Sequence, residues 1–331
     1  MIRRKDDFPE RSPPGSACRH AALLLSLREG RNLLFAEVAE PQSIQVSCSR
    51  GFSLRWFLLL SAFALTCICA FAQDNYEIQV YGSETVAPKN TMVELHSNFT
   101  FEGSKTLIDG QEPTNHAEHE TLEITQGITP WFETGFYVFT SAKAGYGWQY
   151  VGDHIRPRVR APESWHWPVG VSLSTEFGYA RPEFTTGPWS LELRPIVDQK
   201  AGRLYWAVNP TVDKSFSGLD SKRGWEFNPN VKVSWDLNPK IAAGLEYYGG
   251  VGPVVKWDSI DQQSQQFIPA IDLNLSEKWE FNFGVGVGVT RSTDHLIVKM
   301  ILGRKLTWGR STKEATGGTT TPEKLSPISQ Q

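Results

Sequence analysis

From Trp225 to Asp236 the chain alternates without a break between two chemistries. Trp225, Phe227, Pro229, Val231, Val233 and Trp235 are apolar, and Glu226, Asn228, Asn230, Lys232, Ser234 and Asp236 fall between them. A second run, Trp279 to Thr290, sets Trp279, Phe281, Phe283, Val285, Val287 and Val289 against Glu280, Asn282, Gly284, Gly286, Gly288 and Thr290. Successive side chains of a strand point to opposite faces, so each run predicts a two-faced β-strand and not a helix. Noisier alternation predicts further strands near 91–101, 119–129, 132–141, 146–160, 167–178, 188–198, 203–214, 240–249, 266–275 and 295–306. With the two clear runs, that makes twelve.

The connections alternate in length. Tight turns are predicted at 129–131, 199–202, 236–239 and 275–278, and longer loops at 102–118, 179–187, 215–223 and 250–265. Short turns at one end and long loops at the other are the habit of outer-membrane barrels, and an even strand count returns both chain ends to the short-turn side. A strand of about 10 residues, tilted about 40°, covers roughly 25 Å of height, matching the apolar band of such a membrane. Trp131, Trp165, Trp167, Trp235 and Trp279 fall near short turns, and Trp148, Trp189 and Trp225 near the opposite ends. That placement predicts two aromatic girdles at the membrane interfaces. A water-soluble β-sandwich shares the alternation, but its strands are ordinarily nearer 5–6 residues. The fold predicted is therefore all-β: a transmembrane, up-and-down antiparallel β-barrel of about twelve strands over residues 91–308.

Composition supports this reading. The 331 residues include 12 Trp, 18 Phe, 9 Tyr and 28 Gly, a mix that suits pleated structure, and the net charge of -3 argues against nucleic acid as a partner. All four cysteines, Cys18, Cys48, Cys67 and Cys69, precede residue 70, so the rest of the chain has neither disulfide nor thiolate chemistry. Arg50 and Arg55 precede an apolar run from Trp56 to Cys69, and Ala70-Phe71-Ala72 supplies the small residues of a cleavage site. A signal peptide over 50–72, cut before Gln73, is expected, with export to the outer membrane. Residues 1–49 are left unassigned, as from a start-site choice. Residues 73–90 read as a lead-in to the barrel, and 309–331, rich in Thr, Ser, Gly, Pro and Lys, as a disordered tail.

If the apolar face meets lipid, the polar face lines the lumen. Arg156, Arg158 and Arg160, spaced by two, put three guanidinium groups on one face of one strand, and Glu133 and Glu176 stand on the strands either side. Glu192 with Arg194, and Lys232 with Glu246, add both signs elsewhere. Two uses are open: the charges fill the barrel by pairing with one another, or the arginines select anionic solutes. A twelve-strand cylinder is roughly 24 Å across at the backbone, of which inward side chains remove about half. Gly284, Gly286 and Gly288 lack the strand-to-helix turn of a phosphate loop and are expected to make room for bulky neighbours. His116 to Glu120 holds metal-ligand types without metalloprotease spacing and reads as a solvated loop. No metal site, cofactor or catalytic residue is expected. Residues 73–331 contain no G-x-S-x-G, and His96 has no base-and-nucleophile arrangement.

Four stretches carry a likeness to known proteins: VELHSNF (93–99), TPWFETG (129–135), FNPNVKVSWDLNPKIAAGLEYYG (227–249) and IPAIDLNLSEKWEFNFGVGVGVTRSTDHLIVKMILGRKL (268–306). Over most of 76–306 the chain resembles a functionally uncharacterised bacterial family of outer-membrane β-barrels, loosely related to transporter-like barrels of aromatic-compound degradation pathways. The resemblance implies fold and location and carries no catalytic residue onto this chain. Unlike such barrels, which commonly finish at a terminal aromatic, this chain continues beyond Trp308. The function expected is a narrow pore or transporter for small organic or anionic solutes, with outer-membrane lipid as the other partner. A non-conducting structural or receptor barrel, or an outer-membrane hydrolase, is the alternative.

Overall fold

The computed structural model describes residues 75–308. The expectations for 1–49, for the signal peptide with its cleavage site, and for 309–331 lie outside the described residues. Twelve long strands make the wall: β1 (Asn90–Glu102), β2 (Ala117–Thr129), β3 (Phe132–Lys143), β4 (Gly147–Arg160), β5 (Gly170–Ala180), β6 (Trp189–Ala201), β7 (Leu204–Ser215), β8 (Trp225–Asn238), β9 (Ile241–Gly250), β11 (Ser264–Ser276), β12 (Trp279–Gly288) and β13 (Leu296–Thr307). A two-residue strand, β10 (Gly252–Pro253), pairs with β8 just past the end of β9.

Every pairing between these strands is antiparallel, and most join neighbours in sequence. β13 returns to β1, with Asn90 opposite Thr307 and Phe99 opposite Val298, so the sheet closes on itself. Closure gives every edge a partner, which an open sheet in a membrane could not have. Each predicted strand has its counterpart in the wall. The 167–178 run starts later than its alternation suggested, because Trp167 and Pro168 belong to the 161–169 connection, which carries a 3-10 turn at Glu163–Trp165. The 116–120 segment is not a solvated loop. β2 pairs with β1 as far as Glu118 opposite Phe99, and His119 is buried facing inward against Tyr76.

The polarity of the wall is inside out. On β8, Glu226, Asn230, Lys232 and Ser234 are buried in the interior, while Val233 and Trp235 are exposed. β12 repeats this, with Phe283, Val285 and Val287 exposed. Leu122, Ile124, Phe136, Ile155, Leu173, Phe177, Leu245 and Ile271 continue the outer apolar band around the ring. All eight tryptophans assigned to the girdles are exposed. A soluble sandwich buries its apolar face, and this wall presents it, so the sandwich alternative fails on the facing of the side chains.

This facing is directly testable. With Val233→Cys and Lys232→Cys placed separately in the processed chain, an environment-sensitive dye is expected to report a lipid-like surrounding at 233 and not at 232. Equal signals at both positions would refute the register.

Candidate functional site

The interior of the barrel is occupied by the chain itself. Residues 75–86 run through the lumen from the long-loop end to the short-turn end, then turn at Ala87–Lys89 into β1, where the amide of Asn90 donates to the carbonyl of Ala87. Contacts mark the path. The Asn75 side-chain amide donates to Asp294 at 2.7 Å in the β12–β13 loop, and the Asn98 and Thr121 side chains donate to the carbonyls of Asn75 and Tyr76 at 2.9 and 2.6 Å. Midway, Asn209 receives the Tyr81 amide at 2.8 Å and donates to the Tyr81 carbonyl at 3.0 Å. At the far end Arg158 donates to the carbonyls of Gly82 and Glu84, and the Val86 amide donates to Glu133 at 2.5 Å. Extended backbone of this kind leaves its polar groups without a ladder, and lumen side chains satisfy many of them.

One wall, from β2 to β6, grips the segment through charge. Arg156 bonds Glu123 closely and lies 3.5 Å from Glu133, which Arg158 approaches to 2.6 Å. Arg194 pairs with Glu192 at 2.7 Å and with Glu77 of the threaded segment at 3.1 Å. The guanidinium groups of Arg156, Arg158 and Arg194 lie 4.9, 5.7 and 4.7 Å from the ring centre of Tyr81, where the negative face of the ring attracts them. The Tyr81 hydroxyl donates to Glu77 at 2.5 Å and meets that of Tyr137 at 3.1 Å.

Across the lumen, Lys232 lies 2.8 Å from Asp272 and 3.2 Å from Glu246. Lys299 bonds Glu246 closely and reaches the Ile78 carbonyl at 3.0 Å. An apolar collar completes the grip: Ile78 and Val80 pack with Tyr205, Tyr248, Ile268 and Ile297. Here two of the three alternating glycines find their use, whereas Gly288 lies against the Asp294 carbonyl and Thr293. A Cβ at Gly284 would lie 2.5 Å from Ile268, and one at Gly286 2.6 Å from Ile297, so glycine gives these isoleucines their space beside the segment.

The nine charges singled out from the sequence therefore divide. Arg156, Arg158, Glu133, Glu192 and Arg194 share one network, and Lys232 and Glu246 belong to the other. Arg160, the last residue of β4, sits at the rim and pairs at 3.3 Å with the exposed Glu163, so the arginine series has two interior members and one at the mouth. Glu176 does not meet the arginines: its partner is His154, at 2.5 Å. Sequence reasoning missed the threaded residues, above all Glu77 and Tyr81. Their only signal was a brief alternation, Tyr76, Ile78 and Val80 against Glu77 and Gln79, in a stretch read as a lead-in.

Toward the long-loop end the lumen opens into a vestibule of about 730 Å³, floored by Tyr76 and Glu77. Its lining is acidic: Glu112, Glu176, Glu192, Asp213, Asp220, Glu226, Asp261 and Asp294 outnumber Lys143, Arg194 and Arg291. In the β7–β8 loop, burial raises the pKa of Asp220, opposed by the Thr186 hydroxyl, which donates to it at 2.5 Å, and by Arg223.

The chain is similar in fold to several solved barrels. An outer membrane channel from Pseudomonas putida F1 aligns with a TM-score of 0.48 at 8% identity, covering 70% of this chain and 100% of that one. The NanC porin aligns at 0.44 and 8% identity, covering 65% and 99% respectively, and the KdgM porin at 0.43 and 9%, covering 66% and 99%. No family model matches the sequence, and no curated protein matches it.

Proposed function

We propose that the protein is an outer-membrane pore for small polar solutes, closed in this state by its own residues 75–86. One observation carries the reading: the segment that fills the lumen belongs to no β-ladder. Its withdrawal breaks side-chain contacts and no strand pairing, so the wall can stay intact while the path opens. The apolar outer band and polar interior argue for a membrane setting, because an exposed apolar belt of this extent needs lipid to cover it. The sequence resemblance adds aromatic solutes to the candidates.

The filled lumen also suits a non-conducting structural barrel, and a tether separates the two. A Cβ at Gly170 would lie 3.1 Å from the Cβ of Ser83, a few tenths short of the usual disulfide spacing of about 3.5–4.5 Å. In Ser83→Cys/Gly170→Cys, planar-bilayer recordings are expected to show discrete openings under reductant and none after oxidation. Silence in both conditions would favour the structural barrel.

A further inference from the structure

Beside the threaded segment, β1, β2, β12 and β13 bring together a group of side chains that the two charge networks leave largely unused. Glu94 on β1 stands opposite Glu123 on β2 and, on its other side, opposite Gly303 on β13, which stands opposite Glu280 on β12. A Cβ at Gly303 would lie 2.6 Å from Cγ of Glu280, so glycine there lets the Glu280 side chain lie across β13 toward Glu94. His96 follows two residues after Glu94 on the same inward face. One ligand atom from each of Glu94, His96 and Glu123 can be chosen so that all lie within 4.8 Å of one another.

These groups are sealed from water: the exposures of Glu94, His96 and Glu123 are 2%, 0% and 0%. Neither ring nitrogen of His96 has a hydrogen-bond partner, nor has Oε1 of Glu94, Oε2 of Glu123 or Oε1 of Glu280. His96 Nε2 approaches Glu123 Oε2 only to 3.5 Å. A buried imidazole with both nitrogens unused, facing carboxylate oxygens that are also unused, is a donor set awaiting an acceptor of electron pairs.

We propose that Glu94, His96 and Glu123, with Glu280 alongside, bind a divalent first-row transition-metal ion, and that Zn2+ fits the set best. The charges agree. Arg156 offsets Glu123; Glu94 and Glu280 hydrogen-bond to one another and so hold a proton between them, and a dication that displaces that proton balances these two carboxylates. Imidazole nitrogen and carboxylate oxygen are each ligand types that Zn2+ accepts. Ligand atoms about 2.0–2.2 Å from one tetrahedral ion stand roughly 3.3–3.6 Å apart, so closure from a spread of up to 4.8 Å asks the side chains to move by about an ångström. The outer shell is in place, since the Thr125 hydroxyl donates to Glu123 Oε1 at 2.6 Å and Arg156 bonds the same oxygen. A cavity of about 30 Å³ lined by Glu94 and Glu280 adjoins the group and has room for a single ion or water. Bound there, the ion ties β1 and β2 to β12 across the β1–β13 seam at which the barrel closes.

The test uses the full-length protein purified from the membrane, stripped with chelator and titrated with Co2+ as a visible probe. About one Co2+ per chain should bind with d–d absorption bands, Zn2+ should displace it, and affinity should fall at least roughly tenfold in His96→Gln and in Glu94→Gln. Chelation should also lower the temperature at which the folded gel band shifts, in the unsubstituted protein alone. X-ray absorption of the Co2+-loaded unsubstituted protein should give one imidazole with oxygen donors, which keeps the test decisive if a variant fails to fold. Binding of less than about a tenth of an equivalent would overturn the proposal. So would undiminished binding in both folded variants, as an ion held by Asp294 and His295 would give, or a spectrum with no imidazole or with two.

Discussion

A chain lacking residues 75–86 is expected to fold into the same barrel and to carry current at least roughly tenfold above the intact protein, because a lumen about 24 Å across at the backbone is then narrowed only by the side chains of its wall. The deletion removes Tyr81 from among three guanidinium groups and Glu77 from Arg194, but Glu192 still pairs with Arg194, and Glu123 and Glu133 with Arg156 and Arg158. The wall therefore retains charge balance on that side. Planar-bilayer recording gives the current, and heat-modifiable gel mobility of the same preparation reports folding. A folded deletion variant that stays silent would mean that the wall's own side chains close the path, and the pore reading would fall.

The second large effect is on stability. Replacing Glu246 with Gln leaves Lys232 and Lys299 facing one another across a buried position that lost its shared carboxylate, with Asp272 still pairing Lys232 but no carboxylate pairing Lys299. Removing one partner from a buried charge network costs about 3–5 kcal/mol, since the remaining charge is neither solvated nor paired. Glu192→Gln is the contrast. Glu192 is partly solvent-exposed, and Arg194 keeps Glu77, so a loss of about 1 kcal/mol or less is expected there. Urea unfolding in micelles measures both. Equal losses would show that the Lys232–Glu246–Lys299 group contributes no more than a surface pair.

The strands, their facing and the closed barrel could be read from the sequence because each rests on a relation between near neighbours. Trp225 to Asp236 displays its two faces in twelve consecutive letters, and the pleat turns that period directly into an outer and an inner surface. The pairing of Glu133 with Arg158 was foreseeable for the same reason, as hairpin-linked strands set the two opposite one another. The contents of the lumen depend on another kind of relation. Glu77 meets Arg194 from 117 positions away, and Lys299 meets the Ile78 carbonyl from 221. No local period records such contacts, and the alternation of Tyr76, Ile78 and Val80 is what a short edge strand would also show. Glu176 lies on the strand next to the arginines, yet it turns to His154, a choice made by side-chain reach within the closed ring. Arg160 shares the spacing of Arg156 and Arg158, but β4 ends with it, and the mouth of the barrel gives it water and Glu163 in place of the interior. Period-two chemistry thus determined the wall. Tertiary structure alone decided what the wall encloses, because closing the ring brings residues from opposite ends of the chain within hydrogen-bonding distance.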